Sequence, residues 1–132
     1  NIFSIENPYL DSIWVIGHSY GGMVAALSAE EWNQSIPLTV HSIAAALAGT
    51  ERSKSACIFS KETGDFIKDN VYFTQWRTVH HQDGAFKQME TDPQITTLYG
   101  GRYVDIPANW GDLRLGHNLS INWVCKNLLN SL

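Results

Sequence analysis

The chain has 132 residues, which is enough for one domain or for part of one. Hydrophobic residues make up 44% and charged residues 17%, so the chain can bury a core and is not expected to be disordered. A formal net charge of −4 disfavours nucleic-acid binding, which needs a basic face, and no apolar run is long enough to be a transmembrane segment.

The first predicted elements alternate between strand and helix. An apolar run at Ser12–Ile16 that ends at Gly17 predicts a strand buried on both faces. A helix rich in small residues is expected over about Gly21–Trp32, and Pro37 prevents it from continuing. A second strand follows over about Leu38–Ala46.

The second half has one more strand and a final helix. Gly49–Asp69 is polar and mixed, and we expect a loop with a short helix there. Val71–Val79 is rich in aromatic and β-branched residues and predicts a third strand, whereas Gln82–Gly116 is long and irregular. Apolar residues at helical spacing predict a helix over Leu119–Leu132. This order predicts an α/β fold with a mainly parallel sheet flanked by helices.

A Gly-x-Ser-x-Gly pattern lies between the first predicted strand and the first predicted helix, at Gly17-His18-Ser19-Tyr20-Gly21. In a strand–turn–helix setting such a serine sits on a sharp bend that exposes its hydroxyl. Gly17 and Gly21 lack a Cβ, which is expected to let the strand end approach the helix start. The backbone N–H of Tyr20 is expected to point to where an oxyanion forms. A plain glycine-rich turn is the alternative, but it does not explain a centred serine.

The segment Val15–Met23 resembles the nucleophile elbow of lipases and esterases in the α/β-hydrolase superfamily. Ser42–Ala44 and the following turn to Gly49-Thr50 are similar to the segment after that elbow in many lipases, without their frequent proline. The resemblance implies that residues 1–132 are the C-terminal part of one α/β-hydrolase domain. It implies a lipase-like or esterase-like serine hydrolase that cleaves carboxylic esters through an acyl-enzyme on Ser19, with no metal or cofactor. It favours a secreted location only weakly.

The general base must come from five histidines. This superfamily orders its triad as serine, acid, histidine, and Gly116-His117-Asn118 before the last helix resembles its catalytic-histidine loop. His117 is therefore the predicted base. His18 is expected to point away from the serine, and His41 to be an ordinary mid-strand histidine. His80 and His81 precede the acid candidate, and a zinc site made by them with His117 matches no familiar spacing.

The predicted acid is Asp83, which follows the third strand and can orient the imidazole. The Asp-Gly pair is similar to the family's acid turn, and Arg77-x-x-His80-x-x-Asp83 resembles fungal-type lipases without their proline-rich continuation. Asp-Gly is equally an ordinary turn signal. Asp105 and Asp112 are the alternative acids, and neither is expected to follow a strand.

The resemblance also implies partners. The full hydrolase fold places several strands and a second oxyanion donor before the elbow, whereas 18 residues precede Ser19 here. Without neighbours the elbow strand would be a bare edge, so we expect an N-terminal portion that is missing, cleaved or on a separate chain. The other expected partner is an ester or lipid substrate. The alternatives are a non-catalytic hydrolase-like binding domain, or a peptidase or thioesterase of the same fold.

Tryptophans and cysteines give weaker signals. Trp14, Trp76 and Trp110 are candidates to line an acyl pocket, although most aromatic residues in such a fold belong to the core. Cys57 and Cys125 permit at most one internal disulfide, and two small buried residues are an equal alternative.

Overall fold

The computed structural model describes residues 11–49, 69–96, 98 and 100–131. Within these residues the chain forms a four-stranded sheet of order β1-β2-β3-β4, a two-stranded hairpin and two α-helices. The sheet strands are β1 (Ile13–His18), β2 (Leu38–Ile43), β3 (Val71–Arg77) and β4 (Arg102–Asp105). The remaining elements are helix α1 (Tyr20–Glu31), the hairpin β5 (Asn109–Trp110) and β6 (Leu113–Arg114), and helix α2 (Leu119–Asn130).

Every neighbouring pair in the four-stranded sheet is parallel, which confirms the predicted α/β class with a mainly parallel sheet. His18 pairs with Ile43, and Ile43 pairs with Trp76. The carboxyl ends of the strands therefore lie at one edge of the sheet, so the segments that follow β1 and β3 emerge at the same edge with β2 between them. Within the described residues β1 pairs only with β2, and the expected N-terminal neighbour stays a prediction.

The two helices lie on opposite faces of the sheet. Strand side chains alternate between the faces, and each helix packs against a different set of them. Helix α1 belongs to a cluster with the strand residues Leu38, Val40 and Phe73. The face that carries Ile43 and Trp76 packs against Val124 of α2 instead. Burying a side chain such as Leu38 stabilises the fold by about 1.5–3 kcal/mol. The core thus holds α1 and α2 against the same sheet, one on each face.

The second strand is shorter than predicted. The prediction of Leu38–Ala46 as a strand is wrong beyond Ile43, because Ala44 has φ 51°, which turns the backbone out of the sheet. The third strand ends at Arg77 rather than at Val79. Helix α1 starts at Tyr20, and the predicted final helix ends at Asn130.

The prediction that Gln82–Gly116 is irregular is wrong in part, because it contains β4 and the β5–β6 hairpin. Gly111, with φ 61°, lies in the turn of that hairpin. The other described residues of this segment lie in turns, bends and irregular backbone, and the segment begins at the end of a short 3₁₀ turn, His80–Gln82. The predicted loop and short helix at Gly49–Asp69 fall almost entirely outside the described residues. Neither α1 nor α2 is long and apolar enough to cross a membrane, and the described residues contain no other α-helix.

Candidate active site

Ser19 occupies the bend between β1 and α1. Its backbone has φ 58° and ψ −120°, a conformation that non-glycine residues rarely adopt and that costs about 1–3 kcal/mol. The bend is held from both sides, since the Ser19 N–H donates to the carbonyl of Ile43 at 2.8 Å and the Ser19 carbonyl accepts from the Gly22 N–H at 2.9 Å. The serine is therefore fixed at the carboxyl edge of the sheet.

Two glycines, Gly17 and Gly22, make this bend possible, whereas the sequence predicts Gly17 and Gly21. A Cβ on Gly17 would lie 2.1 Å from the carbonyl oxygen of Gly21, so the strand end does need a glycine. A Cβ on Gly21 would meet no described atom within 4 Å, so the prediction that Gly21 is needed for close approach is wrong. The second constrained position is Gly22, where a Cβ would lie 2.8 Å from the Cβ of Ala45.

Tyr20 begins α1, as the predicted oxyanion donor must. The first N–H groups of a helix have no acceptor within the helix, and the positive end of the helix dipole lies there. The Tyr20 N–H is thus left without an acceptor in α1, at the residue that follows Ser19. Its contact with an oxyanion stays a prediction.

The three residues predicted as nucleophile, base and acid lie together. Nε2 of His117 is 2.8 Å from Oγ of Ser19 across 98 positions of sequence. Nδ1 of the same imidazole is 2.9 Å from both Oδ2 and Oδ1 of Asp83. The imidazole therefore bridges a hydroxyl and a carboxylate through its two different nitrogens.

Asp83 is fully buried, yet its carboxylate is well supplied with donors. The Thr78 hydroxyl donates to Oδ2 at 2.5 Å, and the Ala85 N–H donates to Oδ1 at 2.9 Å. Burial alone raises the pKa of Asp83, but the hydrogen bonds from His117, Thr78 and Ala85 outweigh it and hold that pKa below its usual value. An ionised Asp83 keeps the proton of His117 on Nδ1. Nε2 is then free to accept the proton of Ser19.

His117 has two further ring neighbours. Nε2 of His18 lies 2.7 Å from the backbone carbonyl of His117, and the two ring centroids are 4.8 Å apart. The Phe86 ring meets the same imidazole edge-on with a centroid distance of 5.2 Å. These contacts restrict the orientation of the imidazole. His18 thus contacts the loop of the base, and no described hydrogen bond joins its side chain to Ser19.

The other two predicted acids do not form this pair, because His117 bonds to Asp83. Asp105 is the last residue of β4 and Asp112 comes after β5, so the expectation that neither of them follows a strand is wrong. Asp112 lies in the two-residue turn between β5 and β6.

Two of the remaining histidines, His41 and His80, have structural partners. Nδ1 of His41 accepts a hydrogen bond from the Trp76 indole at 3.0 Å, and His41 is buried. Nε2 of His80 lies 2.7 Å from the carbonyl of Phe86, which closes the turn that carries Asp83. His81 is exposed. In the part of the chain that the structure describes, no group of three or more His, Cys, Asp or Glu side chains is placed to hold a metal ion.

The three candidate pocket tryptophans lie in different places. Trp76 and Trp110 pack in the cluster under α2, which is the ordinary core position. Trp14 is 44% exposed and lines a cavity of about 390 Å³, whose lining includes neither Ser19 nor His117. Cys125 is a free cysteine, and Cys57 falls outside the described residues.

Two polar residues beside Asp83 have no counterpart in the sequence-based predictions. Thr78 directly follows β3, and Gln94 lies in the long segment before β4. Both are buried and bond to each other. A threonine and a glutamine outside any motif give no local signal of such a role, so only the tertiary contacts identify them.

Comparisons of this chain with protein-family models, curated proteins and solved structures found no match.

Proposed function

We propose that this protein is a serine hydrolase of the α/β-hydrolase superfamily that cleaves carboxylic esters, as lipases and esterases do. One observation carries the proposal: His117 lies within hydrogen-bond distance of Ser19 through Nε2 and of the buried Asp83 through Nδ1. A serine hydroxyl is a poor nucleophile unless an adjacent base takes its proton. This arrangement supplies the base together with the group that orients it.

The surrounding fold supports the same proposal. Ser19 follows a parallel strand and precedes a helix, which is the setting of a nucleophile elbow. Asp83 comes after β3, and His117 comes after β4 and before α2. Serine, acid and histidine therefore follow one another in the order that the superfamily uses. The strained backbone at Ser19 is typical of functional sites, where a bend that exposes a side chain is retained despite its energetic cost.

In the acylation step, Oγ of Ser19 attacks the ester carbonyl carbon and forms a C–O bond while its proton moves to Nε2 of His117. Asp83 stabilises the imidazolium by accepting from Nδ1–H. The carbonyl oxygen gains the electron pair, and the Tyr20 N–H is the proposed donor to it. Collapse of this intermediate breaks the bond to the alcohol. The alcohol leaves with the proton that His117 held.

In the deacylation step, water repeats the same sequence on the acyl-enzyme. His117 removes a proton from water as its oxygen attacks the acyl carbon. The bond to Oγ of Ser19 then breaks, and His117 returns the proton to Ser19. The products are a carboxylic acid and the free serine.

The test combines a fluorophosphonate probe with hydrolysis of p-nitrophenyl butyrate. We expect the probe to phosphonylate the peptide that contains Ser19, and Ser19→Ala to abolish both labelling and hydrolysis. Losing a triad serine costs about 10⁶ in turnover in a well-studied protease, so the effect is large. Ser28→Ala is the matched control, because the one described side-chain hydrogen bond of Ser28 is to the carbonyl of Val24 in its own helix. Hydrolysis and labelling that persist in Ser19→Ala would contradict the proposal.

A further inference from the structure

We infer that Thr78 and Gln94 are positioning residues for the triad acid, Thr78 by donating its hydroxyl proton to Asp83 and Gln94 by fixing Thr78. The inference deepens the proposed serine-hydrolase function and rests on it. It is carried by a chain of buried hydrogen bonds that runs from Gln94 through Thr78 to the carboxylate.

The Thr78 hydroxyl has one proton and two acceptors within reach. Oδ2 of Asp83 lies 2.5 Å from Oγ1, and Oε1 of Gln94 lies 3.2 Å from it. Hydrogen bonds to a charged acceptor are shorter and roughly twice as strong as neutral ones. The proton therefore belongs to the bond with Asp83. The longer contact leaves Gln94 to act on the Thr78 backbone.

Gln94 holds that backbone by both of its polar groups. Its Oε1 accepts from the Thr78 N–H at 2.9 Å, and its Nε2 donates to the Thr78 carbonyl at 3.2 Å. Nε2 also donates to Oδ1 of Asp92 at 3.1 Å, so the amide orientation is fixed by partners on both sides. Gln94 is fully buried, and an apolar side chain there would leave these groups unpaired.

The segment around Gln94 is itself attached to the rest of the fold. The Gln75 amide donates to the carbonyl of Gln94. The Arg77 guanidinium donates to the carbonyl of Thr96 at 2.8 Å, and the Ala48 N–H donates to the carbonyl of Pro93 at 2.9 Å. Strand β3 and the turn after β2 thus hold Gln94 in place. The support for Asp83 reaches back to the sheet.

This support determines how the carboxylate faces His117. Oδ1 has the Ala85 N–H and Oδ2 has the Thr78 hydroxyl, and His117 lies 2.9 Å from both oxygens. Donors on each oxygen stop rotation of the carboxylate and stabilise the charge of this fully buried group. Thr78 and Gln94 touch neither Ser19 nor His117 in any described hydrogen bond, so they act through Asp83.

The first test compares Thr78→Val, which removes the hydroxyl at nearly constant shape, with Thr78→Ser, which keeps it. The measurement is the pH profile of kcat/KM for p-nitrophenyl butyrate. Without the donor, Asp83 is protonated more easily and any charge on His117 is better stabilised. Both effects move the acid limb of the profile to higher pH, and we expect about one pH unit for a lost bond to a charged group. Thr78→Ser should keep the wild-type midpoint.

The kinetic constants separate positioning from folding. We expect Thr78→Val to lower kcat about tenfold at neutral pH, because the Asp83 carboxylate can then rotate and orients the imidazole less well. KM should stay unchanged, because this orientation matters in the transition state and not for substrate binding. A side chain with a purely structural role would lower the melting temperature without moving the pH midpoint. Thr78→Cys keeps a weak donor and should give a smaller shift in the same direction, which provides a second variant if Thr78→Val does not fold.

Gln94→Glu tests the second half of the chain of bonds. The new carboxyl group competes with Asp83 for the Thr78 proton and cannot donate to the Thr78 carbonyl. The acid limb should again move to higher pH. Gln88→Glu is the matched control. This substitution adds the same charge in the same segment, but at an exposed position.

Two failures are distinguishable. If the wild-type protein hydrolyses the ester but Thr78→Val and Thr78→Ser have superimposable pH profiles, the positioning role is wrong and the proposed function stands. If the wild-type protein neither hydrolyses the ester nor takes the fluorophosphonate label, the proposed function fails, and the positioning role fails with it.

Discussion

His18 and His117, which are 99 positions apart in the sequence, are joined by a hydrogen bond from Nε2 of His18 to the backbone carbonyl of His117, at 2.7 Å. A carbonyl only accepts, so the proton must lie on Nε2 of His18. Burial is the main cause that lowers the pKa of His18, so its imidazole is neutral at neutral pH. The bond connects the residue before the serine to the loop of the base. Because burial keeps the imidazole of His18 neutral, this residue adds no positive charge beside His117.

Replacing His18 should therefore reduce turnover without affecting the nucleophile itself. We expect His18→Leu to lower kcat/KM by about tenfold, the value of one hydrogen bond that orients a reacting group. His18→Gln keeps an N–H of similar reach and should retain most of the activity. Measuring kcat/KM for ester hydrolysis by the two variants checks this prediction. His81→Leu is the control, because His81 is exposed. Equal losses in His18→Leu and His18→Gln would show that the donor does not matter.

A second histidine makes stability depend on pH. His41 is buried between two tryptophan rings, with centroid distances of 5.3 Å to Trp14 and 6.0 Å to Trp76. Its pKa lies below the usual value, first because of burial and second because of the positive charge of Arg102. Its Nδ1 accepts the Trp76 N–H, and this bond is lost if Nδ1 is protonated.

The sign of the effect follows from proton binding. Below about pH 6.5 the unfolded chain binds a proton at this position before the folded chain does. The stabilising contribution of neutral His41 is thus complete above that pH and is lost as the pH falls toward the folded pKa. We expect the free energy of unfolding, measured with urea, to decrease from pH 7 to pH 5. His41→Gln should make this dependence shallower, and an unchanged slope would contradict the assignment.

Asp83→Asn tests the acid with the geometry almost preserved. The corresponding change in a serine protease triad lowers kcat about 10⁴-fold because the imidazole takes the wrong tautomer. We expect a loss of this size in hydrolysis and in the rate of fluorophosphonate labelling. Asp105→Asn, at the exposed end of β4, should leave both unchanged.

The same substitution has a consequence for stability. Because the pKa of Asp83 is lowered in the folded protein, its carboxylate stabilises the fold above the unfolded value of about 3.9, and this contribution is lost as the pH falls further. The wild type should therefore lose stability in acid more steeply than Asp83→Asn does. Unfolding curves between pH 5 and pH 3 measure the difference, and parallel curves would argue against an ionised Asp83.

Local sequence signals predict the elements that carry their own pattern. The apolar run of β1, the small residues of α1 and the periodic apolar residues of α2 each indicate the element in which they lie. Strand β4 lacks such a signal, because Arg102–Asp105 is four residues long and three of them are exposed. It becomes a strand by pairing with β3, which is a tertiary contact. Short edge strands of this kind are hard to recognise from sequence.

The residues of the site also divide into those with a signal in the sequence and those that only tertiary contacts identify. Ser19 is marked by its motif, and His117 and Asp83 by their order and by resemblance to a family. Thr78 and Gln94 belong to no motif, and their role depends on contacts 16 positions apart along the chain. The motif also predicts that Gly21 is needed for close approach, whereas Gly22 is the constrained position, because a pattern cannot show which Cβ would meet an atom.

The glycines of the elbow give the sharpest structural prediction. A Cβ on Gly17 would lie 2.1 Å from a backbone oxygen, which no side-chain movement can relieve. Gly17→Ala should therefore separate the end of β1 from the start of α1, with loss of probe labelling and a melting temperature lowered by several degrees. A Cβ on Gly22 would lie 2.8 Å from the Ala45 Cβ and 2.9 Å from the Ser42 hydroxyl. Gly22→Ala should be destabilising to a smaller extent, because both contacts are longer than the 2.1 Å contact at Gly17 and involve side-chain atoms rather than backbone.

Gly21→Ala is the matched control within the same motif. Among the described residues nothing lies within 4 Å of the added methyl group, and alanine favours a helix over glycine by up to about 1 kcal/mol. Gly21→Ala should therefore keep the fluorophosphonate label and the melting temperature, or raise the latter slightly. Thermal unfolding and labelling of the three variants side by side test the order. If Gly21→Ala were as damaging as Gly17→Ala, the close approach between β1 and α1 would have to lie elsewhere, and the geometry derived for the Ser19 bend would be wrong.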